Sequence, residues 1–252
     1  TPRTLFPYTT LFRSNENPKG TINFWTNFAS TPNNYLYESN GIRRGMWTVS
    51  WFKDLLGDDL ILKAEALGVS PEDYLNKEAE NVPAGCDGLM TVLDWLAPAN
   101  EPFKKGIMIG FDGRHTRAHM YRSILEAIAL TMKNHVDDMC SELNIKLENI
   151  VISGGGSNSA LLMQIFTDVF GISASRNVIN SSASLGAAIC VAVATGVYDN
   201  YETAIKKMVK VRDIFKPNEV NFDLYKRMND EVYKNITSCT DEVLKKLYSI
   251  VG

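Results

Sequence analysis

The stretch Asn149–Gly171, NIVISGGGSNSALLMQIFTDVFG, joins a short apolar segment, three consecutive glycines and a helical pattern. The β-branched residues Ile150, Val151 and Ile152 predict a buried strand. Apolar residues then recur at helical spacing, namely Leu161, Leu162, Ile165, Phe166, Val169 and Phe170. The turn between strand and helix must therefore lie at Gly154–Gly156.

A glycine turn at this point predicts a site lined by the backbone. Glycine has no Cβ, so the chain can take left-handed angles and a flat ring or a phosphate can approach the main chain closely. Ser157 or Asn158 is expected to cap the helix, whose first N–H groups point at the same place. The pattern indicates a nucleotide site, and the alternative is a turn that only lets strand and helix pack.

Length, charge and cysteine content limit the classes of function. A chain of 252 residues with 45% hydrophobic content can form one large domain or two small ones. The net charge of −3 gives no electrostatic footprint for nucleic acid or an anionic membrane. The cysteines are far apart, which predicts neither a disulfide framework nor a zinc site and favours a reducing cytoplasm. They are Cys86, Cys140, Cys190 and Cys239.

The first residues have an unusual composition. Thr4–Ser14, TLFPYTTLFRS, resembles the in-frame translation of a sequencing adapter. We therefore expect residues 1–14 to be an artefact and residues 15–252 to form the native domain, with a further N-terminal domain absent from this chain.

The next part of the chain predicts a hairpin followed by helices. Thr21–Ser39 shows two strand patterns around a Ser-Thr-Pro-Asn-Asn turn. Met46–Leu56 and Asp58–Leu67 are helical patterns, and the Ser-Pro-Glu-Asp run at Ser70–Asp73 supplies an N-cap, a first-turn proline and a capping-box acid. Residues of about 45–103 are thus expected to form a mostly helical insertion.

Strands and helices alternate in the second half. Lys105–Phe111 predicts a strand, and a long helix with one apolar face over Tyr121–Val136 follows it. After the glycine turn, Ile172–Val178 predicts another strand. Ser181–Tyr198 carries no charge but is short, rich in Ala and Ser and without an aromatic belt, so it predicts a buried helix and not a membrane span.

This order of elements indicates an α/β fold of the ribonuclease-H-like type. Three strands come first and then helix and strand alternate, βββαβαβα, with the helical insertion after the second strand. The actin and hexokinase group of ATPases uses that arrangement.

Two separated motifs resemble the FGGY family of carbohydrate kinases, specifically its C-terminal nucleotide-binding domain. Gly106–Phe111, a seven-residue spacer and His119–Glu126 are similar to the family's second signature, although Phe111 stands where an aliphatic residue is usual. Ser153–Gln164 resembles the family's adenosine motif, and Leu185–Ala188 resembles the block that follows it. Two motifs in the right order are more specific than one run of glycines.

The resemblance implies an enzyme that transfers the γ-phosphoryl of ATP, with Mg²⁺, to a hydroxyl of a sugar or polyol, as in a xylulokinase-like kinase. Gly154, Gly155 and Ser159 would line the adenine and ribose, and Gly156 would support the turn. Gly20-Thr21 would be the remnant of the phosphate-binding Gly-Thr. The acceptor would bind through the absent N-terminal domain, the compartment would be the cytoplasm, and a homodimer stays open.

The resemblance also implies that the catalytic base lies outside this chain. The family's aspartate precedes its Gly-Thr, and Asn15–Gly20 contains none. Asp112 is a weak substitute, because an Asp-Gly pair after a strand is usually a turn. His115 and His119 have no third ligand that would make a metal site. Ser181 stands where many members carry a glutamate. We therefore expect the chain alone to be inactive.

Two other classes of function are considered. A dinucleotide-binding oxidoreductase domain also uses strand, glycines and helix, but Ser159 occupies its third glycine position, and no acidic residue lies between Asp168 and Asp199 to hold a ribose. A non-catalytic ATP-binding module of the actin and hexokinase superfamily is the other alternative.

Overall fold

The computed structural model describes residues 5–6, 11–14, 20–29 and 34–251. The strands are β1 (Leu5–Phe6), β2 (Leu11–Ser14), β3 (Phe24–Phe28), β4 (Tyr35–Ser39), β5 (Met90–Val92), β6 (Ile107–Ile109), β7 (Ile150–Ile152), β8 (Ala174–Asn177) and β9 (Val211–Phe215). The α-helices are α1 (Gly45–Ala66), α2 (Pro71–Ala79), α3 (Arg117–Leu143), α4 (Ala160–Phe170), α5 (Ser182–Ala194), α6 (Tyr201–Met208), α7 (Glu219–Arg227) and α8 (Lys234–Val251). Short 3₁₀ turns occupy Cys86–Gly88 and Gly155–Asn158, and a π-helical segment covers Met228–Tyr233.

The chain divides into two compact units. The first comprises Thr1–Gly41 and Met132–Pro217, and the second comprises Ile42–Thr131 and Asn218–Gly252. The long helix α3 therefore contributes residues to both. The glycine turn and its neighbours in sequence belong entirely to the first unit.

A mixed sheet forms the first unit. Within the described residues it has seven strands in the order β3-β4-β2-β1-β7-β8-β9. The strands β1, β7 and β8 are parallel, whereas β2, β3 and β4 pair antiparallel on one side and β9 pairs antiparallel on the other. Three antiparallel-linked strands followed by parallel strands with intervening helices give the predicted ribonuclease-H-like α/β class.

The two predicted hairpin strands are confirmed, although residues 30–33 of the predicted turn lie outside the described residues. One predicted core strand is wrong. Residues 107–109 do not join the large sheet; they pair antiparallel with β5 in a separate two-stranded sheet of the second unit. A Cβ at Gly110 would lie 2.4 Å from the carbonyl oxygen of Gly88, so only glycine permits this close backbone approach. The apolar run of Lys105–Phe111 therefore identified a strand but not its partner.

Two short strands lie in the N-terminal segment that resembles an adapter translation. β1 pairs parallel with β7, and β2 pairs antiparallel with β1 and β4. Pairing in the sheet does not distinguish native from artefactual sequence, because strands are held mainly by backbone hydrogen bonds that any non-proline residue can make. The origin of residues 1–14 therefore stays a prediction.

The uncharged helix α5 is less buried than its composition predicts. Only Leu185 and Ile189 are buried along it, and they pack with Ala204 of α6. Ala, Ser and Gly bury little area each, so an uncharged helix built from them gains little from full burial, and the expectation of a buried helix is wrong. Among the described residues no helix is long and apolar enough to cross a membrane.

Helices and a β-ribbon form the second unit. The helix α1 is interrupted at Gly57, with φ 64° and ψ −158°, at the boundary between the two predicted helical patterns. At the start of α2 the Ser70 hydroxyl accepts a hydrogen bond from the Asp73 amide at 3.0 Å, and Pro71 takes the first turn, as predicted. The interruption of α1 at Gly57 and the start of α2 therefore agree with the predictions from sequence.

A polar cluster lies in the core of the second unit. Oε1 of Glu126 accepts hydrogen bonds from Nε of Arg122 at 2.8 Å, from the hydroxyl of Tyr225 at 2.7 Å and from the amide of Gly85 at 3.1 Å. The relative exposure of Glu126 is 3% and that of Arg122 is 7%. The cluster links α3 and α7 to Gly85, the residue that precedes the 3₁₀ turn at Cys86–Gly88.

Candidate nucleotide-binding site

The predicted glycine turn lies at the carboxyl end of β7, a central parallel strand. Gly154 has φ 83° and ψ −178°, a conformation that is essentially restricted to glycine. Ligands in open α/β sheets bind outside the carboxyl ends of the parallel strands. The first glycine is therefore required by the backbone itself, at the edge of the sheet where a ligand is expected.

Gly155 provides open space above the turn. It is exposed, and a Cβ built on it would meet no atom within 4 Å. Its φ is not in the left-handed range, so the backbone does not require glycine there. Gly156 lies inside the 3₁₀ turn, where its carbonyl accepts a hydrogen bond from the Ser159 amide at 3.1 Å. A side chain at Gly155 would fill the space that a flat ring could use.

The helix behind the turn is capped by a different residue from those predicted. Ser157 is fully buried, and its hydroxyl donates to the carbonyl of Gly154 at 2.7 Å. The N-cap of α4 is Ser159, whose Oγ accepts a hydrogen bond from the Leu162 amide at 3.1 Å. A 3₁₀ turn separates the glycines from the helix, which displaces the cap beyond Ser157 and Asn158.

The loop after β8 is joined to the glycine turn. The carbonyl of Asn180 accepts a hydrogen bond from the Gly154 amide at 2.6 Å, and its side-chain amide donates to Oδ1 of Asn158 at 3.0 Å. Ser182 donates a further hydrogen bond to the hydroxyl of Ser153. The turn is therefore fixed to the neighbouring loop by both backbone and side-chain contacts.

An arginine that sequence reasoning missed holds the turn through hydrogen bonds to its carbonyl groups. Nη1 of Arg176 donates to the carbonyls of Ser157 at 2.6 Å and Asn158 at 3.0 Å. Its Nε and Nη2 donate to the two carboxylate oxygens of Asp213 at 2.6 and 2.9 Å. The sequence contained one signal for this contact. Arg176 stands two residues after Ala174 in a predicted strand, so the two side chains share a face of the sheet. An arginine on a buried face needs hydrogen-bond partners.

The predicted phosphate-binding pair Gly20-Thr21 lies at the start of the β3–β4 hairpin. The Thr21 hydroxyl donates to Glu142 at 2.5 Å, and Asn23 donates to the other oxygen of the same carboxylate at 2.5 Å. A Cβ at Gly20 would lie 3.0 Å from the carbonyl oxygen of Phe24. A carboxylate in contact with Thr21 is an unfavourable neighbour for a phosphate. The phosphate-binding role of this pair stays a prediction.

Asp112 is held by its own turn. Its carboxylate accepts hydrogen bonds from Nε and Nη2 of Arg114, the shortest at 2.7 Å, and from the Arg114 amide at 2.8 Å. The side-chain hydrogen bonds from Arg114 lower the pKa of Asp112 to about 2. A carboxyl group of such low pKa is a weak general base, so the geometry favours the structural reading of the Asp-Gly pair.

His115 and His119 use both of their ring nitrogens. Nδ1 of His115 accepts from the Asp112 amide at 2.8 Å, which leaves its Nε2–H to donate to the Cys86 carbonyl at 3.2 Å. Nδ1 of His119 accepts from the Thr116 amide at 3.2 Å, which leaves its Nε2–H facing Asp87 at 3.3 Å. Neither lone pair is available to a metal ion in this arrangement. No group of three or more metal-ligating side chains occurs among the residues that the structure describes.

Comparison with curated proteins and solved structures identifies similar chains. The uncharacterized sugar kinase YgcE of Escherichia coli (strain K12) is 54% identical over 234 residues, which cover 93% of this chain and 48% of that protein. The crystal structure of xylulose kinase from Rhodospirillum rubrum has a TM-score of 0.76 at 21% identity, covering 97% of this chain and 48% of that one. The crystal structure of Plasmodium falciparum glycerol kinase with ADP has a TM-score of 0.70 at 18% identity, covering 93% of this chain and 47% of that one.

These matches define the extent of the similarity. The chain spans about half the length of YgcE, 48% of it. The structural likenesses show the fold. A family model described as the FGGY family of carbohydrate kinases, C-terminal domain, matches residues 9–195. The chain therefore belongs to the FGGY family of carbohydrate kinases and carries its C-terminal domain.

Proposed function

We propose that this chain supplies the nucleotide-binding half of a xylulokinase-like carbohydrate kinase. The enzyme would transfer the γ-phosphoryl group of ATP, with Mg²⁺, to a hydroxyl of a sugar or polyol. The observation that carries the proposal is the turn Gly154–Gly156, where a glycine-only conformation is followed by open space above Gly155 at the carboxyl end of a central parallel strand. Membership of the family supports the class of reaction.

Each residue of the turn has a distinct proposed role. The main chain of Gly154 and Gly155 would lie against the adenine and ribose, because no side chain occupies that space. Gly156 would shape the 3₁₀ turn. Ser159 would line the ribose with Gly154 and Gly155 while its hydroxyl caps α4, whose first N–H groups favour an anion. Gly20 and Thr21 are kept as the proposed phosphate contacts. Mg²⁺ would bind as a complex with the phosphates of ATP, as it does in many phosphoryl-transfer sites.

The general base is proposed to come from the part of the full-length protein that this chain does not cover. Phosphoryl transfer is catalysed mainly by positioning and charge stabilisation, so one half can hold ATP while the other presents the acceptor and a carboxylate. Asp112 is the weak alternative, since Arg114 holds its pKa at about 2.

The proposal extends to the class of acceptor, the compartment and the oligomeric state. The names of similar proteins, a xylulose kinase and a glycerol kinase, support a sugar or a polyol. The cytoplasm is proposed as the compartment because ATP and reduced thiols occur there. A homodimer is open to measurement by light scattering on the full-length protein.

An ADP-release assay on the full-length protein tests the function. We expect turnover that depends on one member of a panel of ketoses and polyols, with Mg²⁺ required. ATP binding without acceptor-dependent turnover across the panel would favour the non-catalytic ATP-binding module. Binding of NAD in place of ATP would contradict the kinase assignment and revive the oxidoreductase alternative.

A further inference from the structure

We propose that Arg176 is a positioning residue for the nucleotide-binding turn, and that Asp213 holds its guanidinium group in place. This inference rests on the proposed function, because the turn is the site proposed for the adenine nucleotide. Arg176 would act on the nucleotide through the backbone of the turn and not by direct contact.

The position of Arg176 follows from strand pairing. Arg176 of β8 is the direct cross-strand partner of Asp213 of β9, and the register of this antiparallel pair shifts between Arg176 and Asn177. A bulge of this kind bends a strand and redirects its side chains, often next to functional sites. Nε and Nη2 then meet the two oxygens of Asp213 at 2.6 and 2.9 Å. This is a bidentate, charge-assisted pair that fixes the plane of the guanidinium.

The remaining nitrogen reaches the turn. Nη1 donates to the carbonyls of Ser157 at 2.6 Å and Asn158 at 3.0 Å, which close the C-terminal end of the 3₁₀ turn. Carbonyl groups at the end of a helical turn lack partners within it, so a buried cation satisfies them. Arg176 is only 6% exposed, and four of its donor contacts are used within the protein. Its effect on a ligand must therefore pass through the turn.

The turn needs such external support. Gly155 and Gly156 have no side chains that could pack, and glycine loses more conformational freedom on ordering than any other residue. A turn that is already ordered before the nucleotide arrives spares the ligand that ordering cost. Loss of Arg176 should consequently weaken nucleotide binding more than acceptor binding.

The test compares ADP binding by isothermal calorimetry with steady-state kinetics in the full-length protein. Arg176→Met should weaken ADP binding by about 10–100-fold, since two charge-assisted hydrogen bonds to the turn are lost. The KM for ATP should rise while the KM for the acceptor stays within about twofold of the wild-type value. Arg176→Lys should recover part of the loss, because a lysine keeps the charge without the planar fork. Asp213→Asn should weaken ADP binding in the same direction.

Arg212→Met is the matched control. Arg212 is the neighbour of Asp213 on β9, its side chain is 53% exposed, and its Nε lies 3.8 Å from Asp213. Within the described residues its only ion pair is this long contact with Asp213 and it donates no hydrogen bond to the turn, so its removal should leave ADP affinity within about twofold.

The outcomes separate this inference from the function on which it rests. A wild-type protein that binds no ADP would overturn the proposed function and this inference with it. Wild-type ADP binding together with a folded Arg176→Met that binds ADP within threefold of wild type would overturn the inference alone. If Arg176→Met does not fold, Arg176→Lys and Asp213→Asn decide. A lower melting temperature with unchanged ADP affinity in both would show a purely structural role and overturn positioning.

Discussion

The carbonyl oxygen of Asn180 lies 2.6 Å from the amide nitrogen of Gly154 and accepts its hydrogen bond. The bond joins the loops that follow two adjacent parallel strands, β7 and β8. Because the acceptor belongs to the main chain, this hydrogen bond does not depend on the side chain at position 180. The glycine turn is thus held at Gly154 by the backbone of the neighbouring loop and at Ser157 and Asn158 by Arg176.

A bulky side chain at Gly155 should obstruct nucleotide binding. The space above Gly155 is open, so Gly155→Leu can fold, but its side chain would occupy the position proposed for adenine. We expect ATP affinity in the full-length protein to fall at least about tenfold, or about 1.4 kcal/mol, with acceptor affinity nearly unchanged. Calorimetric titration of both ligands measures this. Equal losses for the two would indicate general misfolding.

Gly113→Leu is the matched control for that substitution. Gly113 is exposed, a Cβ there also meets no atom within 4 Å, and it lies in the other unit. Its ATP affinity should equal that of the wild type.

Gly154→Ala should destabilise the fold, because φ 83° with ψ −178° is strained for any residue with a Cβ. We expect the free energy of unfolding to fall by about 1–3 kcal/mol in urea titrations. The same change at Gly186, which lies within α5 and has open space around it, should raise stability by about 0.5–1 kcal/mol. Equal effects at both positions would contradict the conformational account.

Glu126→Gln should cost far more than a matched change at the surface. Glu126 is the buried partner of Arg122, and removal of its charge leaves a buried guanidinium uncompensated. Such losses are typically about 3–5 kcal/mol. Glu202→Gln removes a carboxylate of an exposed i,i+4 pair with Lys206, where water screens the charges and the expected change is small. Denaturant titration measures the free energy of unfolding of both variants. A loss below about 1 kcal/mol for Glu126→Gln would refute the buried-pair argument.

Lowering the pH from about 5 to about 2 should weaken the ion pair between Arg176 and Asp213. Hydrogen bonding from Arg176 holds the pKa of Asp213 below its ordinary value. A carboxyl group whose pKa is lower in the folded state stabilises the fold above its unfolded pKa of about 3.9 and loses that contribution as pH falls through the folded pKa. Unfolding midpoints between pH 5 and pH 2 should therefore fall less steeply for Asp213→Asn than for wild type. Parallel curves would show that Asp213 makes no such contribution.

The chain by itself should not catalyse the reaction. Loss of a general acid–base group alone typically costs about 10²–10⁴ in rate, and loss of the positioned acceptor removes a proximity term of roughly 7–11 kcal/mol. An ATP-consumption assay with residues 15–252 over ketoses and polyols should give no acceptor-dependent turnover. Turnover there would place the base within this chain, and Asp112→Asn would then be the first variant to measure.

The local features of this protein follow from neighbouring residues and could be predicted without the fold. The strand at Ile150–Ile152, the glycine turn and the cap at Ser70 depend on side chains within three or four residues of one another. The break at Gly57 and the β3–β4 hairpin are of the same kind. Local sterics and short hydrogen bonds decide such features, so periodicity and turn chemistry identify them without knowledge of the fold.

Features that join distant residues could not be predicted and depend on how the chain folds. The partner of the strand at Ile107–Ile109 is β5, because the close approach of Gly110 to Gly88 becomes visible only when both are placed. The 3₁₀ turn moved the cap of α4 to Ser159, and the small side chains of α5 left most of it unburied. Arg176 meets both Asp213, 37 residues away, and the carbonyl of Ser157, 19 residues away. Contacts at such separations depend on strand order and register, which the hydrophobic pattern constrains but does not specify.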